Sequence, residues 1–111
     1  MRIITIPKLI YIFVTCTLLA CSSIDYHLTE FRPKEQTPEY QIYEYKSFAD
    51  AVYPNDSENA EQTRMQWLEK WIKNNGHKDA SYEVLSRKPV VRQVGAFGTI
   101  YDIYYEVKVK R

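Results

Sequence analysis

The C-terminal 81–111 stretch constrains the fold most. It reads SYEVLSRKPVVRQV, then GAFG, then TIYDIYYEVKVKR. Both outer runs alternate apolar and polar residues, the period of a half-buried strand, and the link carries two glycines, so the stretch is expected to form a β-hairpin. In the second run Tyr101, Ile103, Tyr105, Val107 and Val109 share one face, which is the expected core side. Ile100, Asp102, Tyr104, Glu106, Lys108 and Lys110 share the other face. Pro89 has no amide donor, which puts its strand at a sheet edge or at a bulge. The lysines at the end of the open face suit solubility and edge protection. Contact with anionic groups such as lipopolysaccharide phosphates is the alternative. Asp102, Tyr104 and Lys108 are the candidate contact surface.

A helix is expected over about residues 57–75. Asn55, Asp56 and Ser57 are good N-caps, and Glu58 and Glu61 suit the positive end of the helix dipole. Ala60, Met65, Trp67, Leu68, Trp71 and Ile72 form one wide apolar stripe, opposite Gln62, Gln66, Glu69, Lys70 and Lys73. Gly76 can take the left-handed conformation that ends a helix. Both tryptophans are expected in the core, with a ligand groove as the alternative. Upstream, residues 39–48 (EYQIYEYKSF) are rich in β-formers, with Tyr43 and Tyr45 on one face and Tyr40 and Ile42 on the other. Pro54 and the Asn-Asp-Ser cluster then mark a turn. The expected fold is a small α+β domain at residues 39–111. Its order is β-α-β-β, with one amphipathic helix packed across a three-stranded antiparallel sheet.

A chain of 111 residues has room for one domain, and a formal charge of +1 carries no polybasic signal for nucleic acid. His27 and His77 have no metal-ligand spacing with Cys, Asp or Glu, so no metal and no cofactor is expected. No nucleophile-elbow or phosphate-binding glycine loop is present. Gly95-Ala96-Phe97-Gly98 has the GxxG spacing of an RNA-binding KH loop, but that loop joins helices and this one lies between strand patterns. No small-molecule substrate emerges, and the chain is read as non-catalytic.

Both cysteines lie near the N-terminus, in TCTLLACSS. Arg2 and Lys8 precede the uncharged run LIYIFVTCTLL, and small residues follow it, which is the layout of a secretory signal peptide. As a helix that run rises only about 16 Å, against a bilayer core of about 30 Å. An uncleaved anchor is the alternative. Leu18-Leu19-Ala20-Cys21 resembles the lipobox of bacterial lipoproteins. The resemblance covers about the first 22 residues. It implies that residues 1–20 are a signal peptide cut between Ala20 and Cys21 by signal peptidase II. It also implies that Cys21 carries a diacylglycerol on its sulfur and an acyl chain on its freed amine. Several chains on one residue make anchoring effectively permanent, since each buried methylene contributes about 0.8 kcal/mol. Ser22 does not resemble the Asp that retains enterobacterial lipoproteins at the inner membrane, so the implied address is the periplasmic face of the outer membrane. No free thiol would remain, which suits an oxidising compartment.

Residues 21–38 are expected to form the lipidated N-terminus and a tether. They are polar and contain Pro33 and Pro38. About 17 flexible residues would span on the order of 20–25 Å. Packing of YHLTEF on the domain as a short strand or turn is the alternative. The expected function is a lipid-anchored, non-catalytic envelope protein that binds or positions another envelope component. The alternative is an inhibitor or immunity-type lipoprotein that blocks a hydrolase or toxin.

Overall fold

A computed structural model describes residues 25–79 and 81–111. The expected signal peptide, the Ala20-Cys21 bond at which it would be cut and the expected lipidation site at Cys21 lie outside the described residues. The described chain is an α+β domain of β1 (Glu30–Gln36), β2 (Tyr40–Ala49), α1 (Glu58–Asn74), β3 (Tyr82–Gly95) and β4 (Gly98–Lys110). The strands form one antiparallel sheet in the order β1-β2-β4-β3.

The sheet therefore has four strands where three were expected, and the order is β-β-α-β-β. The extra strand, β1, comes from the segment read as a tether. Pro33 is tolerated there because β1 is an edge strand, which can spare an amide donor. A β-bulge between Pro33 and Glu35 shifts its register against β2.

The helix follows its sequence signals. The Ser57 side chain accepts a hydrogen bond from the Ala60 amide at 3.2 Å, and Glu58 and Glu61 occupy the first turn. At the other end Gly76 has φ of 93°, its amide bonds to the Lys73 carbonyl, and the His77 amide reaches back to Ile72. That is the paired bonding of a Schellman motif, and it requires the left-handed residue that glycine supplies.

The core lies between α1 and the inner face of β2 and β4. Ile103, Tyr105, Val107 and Val109 are buried, as the alternation of β4 requires, and Tyr43 and Tyr45 join them from β2. Tyr45 pairs with Tyr105 across the two central strands, with ring centroids 5.3 Å apart. From the helix, Ala60, Trp67, Leu68 and Ile72 close the core, and Trp67 stacks on Phe48 at 5.6 Å. Trp71 is the partly buried neighbour of this cluster.

The segment before β1 is folded onto the helix. Tyr26 packs on Trp71 with ring centroids 4.6 Å apart, and Phe31 stacks on Tyr43 at 4.2 Å. The Trp71 indole donates to Thr29 Oγ1 at 2.7 Å, and that hydroxyl donates to the Tyr26 carbonyl at 2.6 Å. The Tyr53 hydroxyl donates to Asp25 Oδ2 at 2.5 Å, so the chain is fixed from the first described residue.

Candidate functional site

Asp102, Tyr104 and Lys108 stand on the sheet face away from the helix, as their parity requires. Each already has a partner inside the chain. Asp102 takes a 2.6 Å hydrogen bond from the Arg92 guanidinium. The Lys46 ammonium lies 5.9 Å from the centre of the Tyr104 ring, and the Lys108 ammonium lies 4.6 Å from that of Tyr40. Lys34 pairs with Glu106 on the same face at 3.2 Å. The open face is thus a ladder of cross-strand charge and aromatic pairs.

The outer hairpin strand is different. The β3 strand runs 14 residues along a sheet edge, and only Tyr82 in it is even half-buried. Bulges between Val84 and Ser86 and between Val91 and Gln93 each add a residue to it. Leu85, Val90 and Val91 are exposed along its length. Cross-strand pairing sets Lys88 beside Tyr104 and Val90 beside Asp102, so the edge is continuous with the open face. Pro89 sits in this strand, in agreement with the edge position that its missing amide demands.

The hairpin closes in a tight turn at Ala96 and Phe97, with Gly95 paired to Gly98 and Gly98 at φ of 116°. Phe97 is 94% exposed. Together with the loop after β2 (Asp50, Ala51, Val52), the tip lines an apolar groove.

No family model, no curated protein and no solved structure matches this chain.

A polar cluster joins α1 to the sheet, and sequence reasoning missed it. Arg64 is fully buried, and its Nε donates to Glu61 at 2.8 Å. Its Nη atoms donate to the carbonyls of Phe48, Tyr53 and Pro54 at 3.0–3.2 Å. Glu61 also accepts from Arg87 of β3 and from the Tyr105 hydroxyl, at 3.2 and 2.8 Å. The Tyr45 hydroxyl donates to the Arg64 carbonyl at 2.8 Å. Arg64 stands four residues after Ala60 and four before Leu68, on the apolar stripe, and that spacing was the available signal. The donors that reach Glu61 are accounted for by holding the β2–α1 connection and the hairpin to the helix.

The histidines are placed separately. His77 Nε2 is 2.7 Å from the Tyr43 hydroxyl, and His27 is exposed beside Tyr26. Among the described residues no group of three or more His, Cys, Asp or Glu side chains gathers as metal ligands would, and no helix is long and apolar enough to cross a membrane.

The Glu61 cluster makes stability depend on pH. Burial pushes the Glu61 carboxyl up, but the bonds from Arg64, Arg87 and Tyr105 outweigh it and hold the group below the usual carboxylate range. A depressed folded value means that the contribution is complete above the unfolded value of about 4.3 and is lost as pH falls through the folded one. Melting temperature should therefore drop on acidification below about pH 4.3. The drop should be smaller in Glu61→Gln, which has no such carboxylate to protonate. Equal acid sensitivity of the two proteins would show that other groups set it.

Proposed function

We propose that this protein is a lipid-anchored component of the bacterial envelope that binds another envelope polypeptide and catalyses no reaction. Its address in this reading is the periplasmic face of the outer membrane, with the lipid on Cys21. The observation that carries the binding role is the β3 edge. Natural proteins shorten, charge or cover their sheet edges, because an open edge is a template for another strand. Here Pro89, two bulges and basic residues interrupt the 14-residue edge, but nothing among the described residues covers it, and Leu85, Val90 and Val91 stand exposed along it. Strand addition would take its affinity from main-chain hydrogen bonds, and its specificity from side chains set beside Lys88 and Tyr104. Asp102, Tyr104 and Lys108 then flank the contact and hold the open face rigid.

Two measurements test the reading. Cys21→Ser should abolish incorporation of labelled fatty acid and leave a larger, unprocessed precursor; normal processing of that variant would remove the anchor from the reading. A photo-crosslinking residue at Val90, in intact cells, should capture a discrete partner that the same residue at Lys73, exposed on α1, does not. Capture at neither position, or equally at both, would count against the edge. A captured hydrolase or toxin would assign the protein to the inhibitor or immunity class.

A further inference from the structure

The chain enters the described domain at Asp25, with only three residues between it and Cys21. Four extended steps reach at most about 14 Å. A lipid on Cys21 is therefore held within about that distance of Asp25, so the domain has no long tether to decouple its orientation from the membrane.

Asp25 is bonded to Tyr53, and Tyr53 follows Val52 in the loop that closes one end of the sheet. Val52 is 75% exposed and lines the apolar groove with Phe97, which is 94% exposed. Val94, two residues before the turn, is 76% exposed. Val52 and Phe97 thus form an apolar corner at the hairpin-tip end of the domain, and Val94 adds a further exposed apolar side chain at that end of β3. The other end of the sheet bears Lys78, Asp79, Lys110 and Arg111 around a polar depression. A large exposed apolar group is costly in water and is stabilised at the boundary of headgroups and acyl chains.

On the lipid-anchor reading above, we infer that the protein rests on its own bilayer through this corner, with Phe97, Val94 and Val52 dipping into the lipid interface. The lipid surface is the occupant, because the short leash brings it to this side of the domain. In this pose the strands run up from the membrane, and the β3 edge is presented sideways along its length to a partner.

The test uses the mature, lipidated protein in vesicles of phosphatidylethanolamine and phosphatidylglycerol. Its one free thiol would be introduced by Phe97→Cys or, at the far end, Lys110→Cys. Both native residues are exposed, so neither change disturbs the core. A polarity-sensitive dye on position 97 should emit at shorter wavelength on vesicles than in buffer, and lipid-borne quenchers should reduce its intensity several-fold. The dye on position 110 should show neither change. Water-like emission at 97, or a lipid signal at 110 in its place, would overturn the inference. Mass spectrometry of Cys21 separates the two failures. A lipidated protein with a water-exposed position 97 defeats only the orientation, whereas an unlipidated Cys21 defeats the anchor and the orientation with it.

Discussion

Arg64→Ala should lower the unfolding free energy by about 3–5 kcal/mol, the usual cost of breaking a buried ion pair from one side. For a domain of this size that is a fall in melting temperature on the order of 20 °C, read by thermal denaturation of the unacylated domain. Arg64 is 0% exposed and donates to a carboxylate and to three main-chain carbonyls, of Phe48, Tyr53 and Pro54. Removing it strands those acceptors away from water, and the penalty for an unsatisfied buried group exceeds the net gain from making the bond. Arg64→Lys should recover only part of the loss, because a point-like ammonium cannot span acceptors that a planar fork reaches together. A loss below about 1 kcal/mol for Arg64→Ala would mean that water or a rearranged loop satisfies the carbonyls, and that the cluster is not what ties the β2–α1 connection to the helix.

Arg64 also marks where the sequence stops being legible. The helix was readable because its signals are local: Ser57 before it, the glutamates in its first turn, Gly76 after it. The hairpin was readable because the alternation of β4 and a glycine turn are local as well, and the buried face of β4 follows from parity alone. Arg64 occupies a stripe position by spacing, yet an arginine in a helix is ordinarily a solvated side chain, and what buries it are carbonyls that the chain brings from 10 to 16 residues away. The first strand was hidden for a related reason. Residues 30–36 (EFRPKEQ) contain one apolar residue that packs inward, Phe31, and a proline, so no period of two announces a strand. They become one only by pairing with β2 and by stacking Phe31 on Tyr43 and Trp71. On β3 the two bulges break the alternation, so its exposed valines could not be sorted into faces from sequence. The parity of Asp102, Tyr104 and Lys108 was correct, but their pairing with Arg92, Lys46 and Tyr40 depends on which strands are neighbours.

Trp71→Ala should cost about 3 kcal/mol, at the lower end for a tryptophan because the ring is only partly buried. The loss should be uneven. The indole is the surface on which Tyr26 and Phe31 lie, and its N–H is the donor to Thr29 Oγ1. Without it, residues 25–36 lose their main packing surface on the helix and keep the ladder to β2, the Phe31–Tyr43 stack, the pairs of Glu30 with Lys46 and of Lys34 with Glu106, the Asn74 and Lys70 contacts to Tyr26, and the Tyr53 bond to Asp25. Amide hydrogen exchange should therefore accelerate most in residues 25–36, while β4 slows exchange nearly as well as its reduced global stability allows. Uniform acceleration across all four strands would show that β1 is not a separately releasable unit. The same variant bears on the membrane pose. Where residues 25–36 are released, the three-residue leash becomes a flexible chain of some 15 residues, with a span on the order of 20 Å. That length lets the domain tumble over the bilayer. The dye at position 97 should then lose much of its lipid quenching in Trp71→Ala, although the three exposed apolar side chains at the hairpin-tip end are untouched. Undiminished quenching would mean that the corner holds the domain on the lipid without help from the short leash.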